Sequence, residues 1–504
     1  MKNKISVILF SSLIMTALFH KQALGLNLFF YEILLFAYLF FTKQFRLTNT
    51  NEILFSSGML FSALFTILTH SVFSYIMNFV AVFIFTGVLM YPFAKSLLTN
   101  FWLSANHLIK SQIQFLSEIS EARIGRSKFG KSIRKVNIFL IPLVIIVAFV
   151  WIYRLSNPVF DGFMNDTFLF LEKPFKYLFE DFDFLVLLTF FICLMISNFL
   201  LFKTIDTPTI ERDKLSDEQL QRKRKKALWG VKSNSLLNEY KAGIFLLMIL
   251  NFILLILNII DINWVWFNFK WEGQYLKQFV HEGTYLLILS ILISIVMVLY
   301  FFRSNLNFYS KNRSLKYLSY VWLAQNGILS ISVAIRNFYY IEHFNLAYKR
   351  IGVLIFLLLT LYGLFTVFIK VKERKSAFYL FKTNALSLYI VLMISSFVNW
   401  DSLIARYNFN HADKAFIHLD FLSTLSDKAL PYLDKTIPEL NKINQIQESN
   451  FSFEERFMSP EAFHDSIQSR KTEFLKSWRS KSVLSWNLPE YLAYEKLKNA
   501  ETKE

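Results

Sequence analysis

Apolar residues gather in eleven runs along the chain, divided by short polar or charged connections. They cover 5–19, 24–42, 53–69, 72–90, 136–153, 184–202, 242–260, 284–302, 318–335, 351–369 and 384–400. Most approach the ~20 residues that a helix needs to cross ~30 Å of hydrocarbon. Inside a bilayer each backbone N–H and C=O must be satisfied within its own segment, so the runs predict helices. The expected fold is all-α, a polytopic membrane helix bundle of about eleven transmembrane helices spanning 1–400, followed by a tail at 401–504. The first and eleventh runs are short, and gaining or losing one would move the tail to the other side.

The segment MKNKISVILFSSLIMTALFHKQALG has Lys2 and Lys4, an apolar stretch, and small residues near Ala23 and Gly25. It lacks an A-x-A cleavage site, and a second apolar run starts at once, so an uncleaved first helix is expected. In the tail, HLDFLSTLSDKALPYL carries Leu419, Leu422, Leu425, Ala429 and Leu433 near helical spacing, with Pro431 marking a kink or helix end. A second helical segment is expected from Ser459 through Trp478. The tail reads as a small, mainly helical extramembrane domain.

Composition agrees with the pattern. Of 504 residues 54% are hydrophobic and 18% charged, with 57 Phe, more phenylalanine than soluble domains accommodate. The single cysteine, Cys193, falls in an apolar run, which excludes an intramolecular disulfide and a cysteine-rich zinc site. Charge then orients the runs. With the N-terminus inside, segments 1–4, 43–52, 91–135, 203–241, 303–317 and 370–383 hold 31 Lys+Arg against 10 Asp+Glu. The outer segments and tail hold 23 against 26. This is the positive-inside distribution, with the N-terminus in and the C-terminus out. It explains the net charge of +17 without nucleic acid as a partner.

The loops carry further signals. Ser216-Asp-Glu-Gln219 has the form of a capping box opening a helix. Arg222, Lys223, Arg224, Lys225 and Lys226 follow it, as a solvated helix face or as a contact for anionic lipid headgroups. Segment 154–183 alternates aromatics with acids, which suits the interface. Trp264, Trp266 and Trp271 form an aromatic belt of the kind found at headgroup level.

Two motifs suggest enzymes and fail on context. Gly125 to Ser132, GRSKFGKS, fits the phosphate-loop pattern. A working phosphate loop follows a buried strand and precedes a helix N-terminus. Here Ile113, Leu116, Ile119 and Ile124 show helical spacing upstream, and a membrane run begins just downstream. The stretch reads as a basic hinge. His281-Glu282 begins like H-E-x-x-H, but position 285 is Tyr, so the second imidazole of a zinc site is missing. No cofactor or metal site is expected.

Polar groups gather instead at the outer ends of the runs: Asp261, His281, Glu282, Arg336, Glu342, His343, Lys349, Arg350, Asp401 and Arg406. Three cations in one outer loop run against the charge bias. Glu282 and Asp401 are their expected structural partners, an anionic ligand or headgroup the functional alternative. Within the runs, Gln325, Leu329, Ser332 and Arg336 share a face, since eleven residues at ~100° each return to within ~20°. Asn251 and Asn258 share another, and such groups commonly join helices. Glu32 is costly at mid-membrane, so it should be protonated, paired or facing water. Asn78, Gln325 or Asn326 would serve as its partner, and a proton-coupled role is one use for it.

NPVFDGF from Asn157, FVHEGTYLLI, YIEHFNLAYKRIGVLIF from Tyr340 and WDSLIARYNF from Trp400 together resemble a family of bacterial polytopic membrane proteins catalogued as a domain of unknown function. DFLSTLSDKALPYL is similar to that family's continuation after its last span. The resemblance covers roughly 130–435. It implies the bacterial cytoplasmic membrane and lends no reaction or catalytic residue. Three functions are consistent with the residues: a non-enzymatic protein transporting a small or lipidic anion or serving the envelope, an enzyme acting on a lipid-linked substrate through His281, Glu282 or Asp401, and a sensor or scaffold using the tail.

Overall fold

The computed structural model describes residues 2–121, 146, 149–151, 153–154, 156–178, 183–222, 235–269, 273–451 and 454–501. Among them the secondary structure is helical, with one isolated antiparallel bridge and no strand. Six helices are long and apolar enough to cross a membrane. These are α3 (Thr50–Thr69), α4 (Val72–Met90), α9 (Ser235–Asp261) with the π-helical turn Ile262–Phe267, α11 (Arg313–Phe344), α12 (Tyr348–Glu373) and α13 (Ala377–Ser396). Shorter apolar helices lie in α1 (Lys2–Phe19), α2 (Leu26–Phe41), α7 (Phe184–Leu201) and α10 (Gly273–Phe301). Every predicted run but one coincides with one of these; most of 136–153 lies outside the described residues. The eleventh run is displaced. Ser376 caps α13 by accepting from Tyr379 N, so that helix starts earlier and ends at Ser396, and Asn399 opens a new helix, α14 (Trp400–Asn410).

The chain divides into two compact units. The first comprises 1–67, 72–214 and 481–487. In it α1 packs on α7, and α5 (Leu97–Glu121) packs on α4 and α7. The connecting segment 91–135 thus contains a long amphipathic helix, which takes in the helical spacing of Ile113, Leu116 and Ile119. Its buried face carries His107, whose ring bonds Thr204 Oγ1 and the Phe199 carbonyl, both at 2.8 Å. Burial holds that imidazole below its ordinary value. Gln112 spans two partners, donating to Met195 O and accepting from Asn198.

The second unit comprises 68–71, 215–480 and 488–504. The tail, apart from 481–487, belongs to it together with α9 to α13. Ser216–Gln219 does not open a helix. A short helix, α8 (Thr207–Leu215), ends there, and the following residues extend along the end of α12. Leu220 N donates to Arg374 O at 2.9 Å and Ser376 N to Glu218 O at 2.8 Å. Arg374 ends α12 in the left-handed region at φ 55°, which turns its carbonyl toward that strand-like partner. The working capping box is elsewhere: Thr436 and Glu439 satisfy each other's backbone N–H groups at the start of α17 (Ile437–Asn450).

The predicted tail helix over 418–433 is broken into α15 (Leu419–Ser423), a 3₁₀ turn and α16 (Leu430–Leu433), with Pro431 in the first turn of the last. Leu422, Leu425, Ala429 and Leu433 are all buried, so the apolar spacing marked the core while the proline divided the backbone. α18 (Pro460–Arg479) begins where expected, with Ser459 accepting from Ala462 N. With α19 (Leu488–Glu501) it closes a core of Phe463, Ile467 and Leu497 that is continuous with Ile351 of α12 and Ile404 of α14.

Candidate functional site

Helices α9 and α11 meet along a polar seam. Asn251 Nδ2 donates to Leu318 O at 3.1 Å, Gln325 Nε2 to Asn251 Oδ1 at 2.8 Å, and Asn258 Nδ2 to Gln325 O at 3.2 Å. Position numbers rise together on both helices, so the two run parallel. The predicted face of Gln325, Leu329, Ser332 and Arg336 is the one buried here. At its end Asp261 accepts from both Ser332 Oγ and the Arg336 guanidinium. Trp266 closes the site by donating to Ser332 Oγ at 3.1 Å. Arg336 and Asp261 are 5% and 4% exposed, which makes this a desolvated ion pair and not a snorkelling charge. Asn326 points elsewhere, back to Trp322 O at 2.8 Å.

Two turns further on, Arg350 folds back over the end of α11. Its guanidinium donates to the Phe344 and Asn345 carbonyls and lies 4.7 Å from the Tyr340 ring centre. It acts as a side-chain cap for the orphan carbonyls of α11. Asn345, at φ 64°, completes the turn by donating to Ala415 O and Phe416 O.

Asp401, in the first turn of α14, accepts from Tyr348 Oη and Ser426 Oγ and pairs with Lys428 Nζ at 3.2 Å. Burial works against its charge, but Lys428 and the two hydroxyls outweigh it and hold the carboxyl below the usual range. Lys428 also donates to Thr69 O and His70 O, at 3.0 and 3.2 Å. Among the described residues Asp261, Arg336, Arg350 and Asp401 therefore fall into three separate sets, and not into one pocket. Arg406, one helical turn beyond Asp401, is exposed. The side chains of His281 and Glu282 lie outside the described residues, as do Trp271, Lys223, Arg224, Lys225, Lys226 and the segment Gly125 to Ser132; Arg222 is exposed.

In the first unit, Glu32 is 2% exposed. Of its three suggested partners it takes Asn78, whose Nδ2 donates to Glu32 Oε1 at 2.8 Å and to Ser62 Oγ at 3.1 Å. Glu32 Oε2 is buried with no hydrogen-bond partner among the described residues.

A family described as Domain of unknown function (DUF4153) matches residues 30–436, well over half of the chain. The chain belongs to that family. No curated protein matches it, and no solved structure does. The DUF4153 match begins in α2, so it takes in α3 to α5, which the resemblance over 130–435 left out. All three outer sets and the Glu32–Asn78 pair fall inside it, and it ends at Thr436, the residue that caps α17. Helices α17 to α19 lie beyond it.

Six apolar helices of spanning length among the described residues mark the protein as a membrane protein. Sequence reasoning had not foreseen Lys428, Ser426 or Tyr348 on Asp401. The only signal for Ser426 and Lys428 was type, a hydroxyl and a lysine in a segment otherwise patterned for a core, and Tyr348 gave none.

Proposed function

We propose that this protein is a multi-pass protein of the bacterial cytoplasmic membrane with a non-enzymatic accessory role in the envelope, using its helical tail as the interaction module. In this reading eleven crossings put the N-terminus inside and the tail outside. The parallel course of α9 and α11 supports one crossing, α10, between them. The excess of Lys and Arg on the proposed inner segments supports the orientation.

The observation that carries the reading is the Asp401 set. Tyr348, Ser426 and Lys428 converge on one carboxylate, which fastens the tail, beginning with α14, to α12. An acid or base for catalysis would need Asp401 exchanging protons near neutral pH, whereas its partners favour the charged form throughout.

The test combines topology with complementation of a chromosomal deletion. A periplasm-dependent reporter after Lys498 should be active, and the paired replacement Asp261→Leu with Arg336→Met should still complement, because apolar residues can replace a structural ion pair. A cytosolic reporter would overturn the orientation. Loss of function from a stably inserted, normally melting double variant would move the assignment to a ligand or lipid-linked substrate site.

A second reading, transport of a small or lipidic anion coupled to protons, has one observation behind it. Glu32 holds a buried carboxyl oxygen without a hydrogen-bond partner among the described residues, and an ionisable group within a membrane helix is a natural candidate for carrying a proton.

A further inference from the structure

Helices α1 and α2 do not close on each other along their whole length. Between them lies a cavity of about 360 Å³ lined by Val7, Phe10, Ser11, Ile14, Leu34 and Leu35, with Tyr31, Tyr38 and Leu201 completing it. Its walls are almost wholly apolar. Phe10 and Leu34 are 65% and 54% exposed, so one side opens outward between the helices. A second cavity of about 310 Å³ adjoins it, sharing Val7, Tyr38 and Leu201. That compartment is different in character, because Lys4, Lys203 and Gln44 line it.

The two cations are set toward one space. Lys203 Nζ donates to Gln44 O at 2.8 Å, which fixes the side chain beside the cavity. Burial first, and the neighbouring Lys4 ammonium second, hold Lys203 below its ordinary value. Among the described residues no carboxylate lines either compartment. Two like charges facing each other with no acid between them are stabilised by an anion.

Dimensions narrow the choice of anion. Lys4, Val7, Ser11 and Ile14 recur along one face of α1, and ten residues of helix rise on the order of 15 Å. That is about half the ~30 Å hydrocarbon core, the depth of one leaflet. A free phosphate would use the cationic end and leave the apolar compartment empty. We propose that the joined α1–α2 cavity is a binding site for one anionic glycerophospholipid, with its phosphate between Lys4 and Lys203 and an acyl chain along Val7, Ser11, Ile14 and Leu35. In the orientation proposed above the lipid belongs to the inner leaflet. The proposal is independent of the tail's role.

The experiment is lipid titration of the purified, delipidated full-length chain, read by native mass spectrometry. The probes are phosphatidylglycerol, phosphatidylcholine of the same chain length, and inorganic phosphate. Wild type should bind one phosphatidylglycerol at least about tenfold more tightly than phosphatidylcholine, and millimolar phosphate should not displace it. The double variant Lys4→Gln, Lys203→Gln should lose that preference while still binding phosphatidylcholine weakly. Val7→Trp, which fills the shared neck, should weaken both lipids. Equal wild-type affinity for the two lipids would overturn the proposal, as would full displacement by phosphate or unchanged preference in the double variant. The wild-type comparison decides even where a variant fails to fold.

Discussion

Lys428 Nζ lies 3.2 Å from Asp401 Oδ2 and also donates to the carbonyls of Thr69 and His70. One buried ammonium thus joins α14 to the segment around Lys428 and to the carbonyls of Thr69 and His70 at the end of α3. Lys428→Met would leave a buried carboxylate short of its cation and two carbonyls short of a donor. Breaking a buried pair from one side costs about 3–5 kcal/mol. Thermal unfolding of the solubilised protein should show a loss of that order, and adding Asp401→Asn should recover part of it. A melt unchanged by Lys428→Met would mean that the pair holds nothing together.

The same carboxylate sets an acid limit. Asp401 is more acidic folded than unfolded, so its contribution is complete above the unfolded value of about 4. It disappears as pH falls through the lower folded value. Melting temperature should therefore be insensitive to Asp401 from neutrality down to about pH 5 and become sensitive only in stronger acid. Comparing wild type with Asp401→Asn in pH-dependent melts isolates this component: the difference between them should shrink toward low pH and stay constant above about pH 5.

Gly87 of α4 sits against the backbone of α5. A Cβ there would come within 2.1 Å of Asn100 O, and backbone cannot swing aside as a flexible side chain can. Ser104 Oγ reinforces the approach by donating to Phe83 O. Gly87→Ala should force the helices apart at a cost of about 2–3 kcal/mol. Gly352→Ala is the control, since a Cβ at that position meets nothing within 4 Å. It should be neutral or stabilising by about 0.5–1 kcal/mol through helix propensity. Equal effects in thermal unfolding would remove the close approach as the explanation.

What the sequence disclosed follows from how locally each feature is encoded. Apolar run length placed the helices, and angular arithmetic put Gln325, Leu329, Ser332 and Arg336 on one buried face, because both depend only on neighbours along the chain. Partner choice does not. Arg336 was matched to Glu282 or Asp401 by compartment, yet it pairs with Asp261, on a helix whose parallel register is set by asparagines a turn or more away. Arg350 looked like a ligand-binding cation and is a helix cap, a role visible only when Asn345 turns the chain back over it. The capping-box reading of Ser216 failed for a related reason: the backbone there bonds to the end of α12, an alternative that no local pattern reveals.

Asn78 is the case where a partner was legible, and it yields the last prediction. Its amide is divided between Glu32 Oε1 and Ser62 Oγ, joining α2, α3 and α4 through one side chain. Asn78→Leu removes the donor and leaves Glu32 buried with neither oxygen satisfied by it, at a cost of about 1–3 kcal/mol. Adding Glu32→Leu should restore much of that loss, because an apolar pair has no unmet hydrogen bonds. Glu32→Gln keeps an acceptor for Asn78 and should melt close to wild type. The two functional readings then part at that variant. An accessory protein should still complement with Gln at position 32, since the contact survives, whereas a proton-coupled transporter should fail, since an amide carries no exchangeable charge across the step. Normal melting with failed complementation would therefore displace the accessory reading in favour of transport.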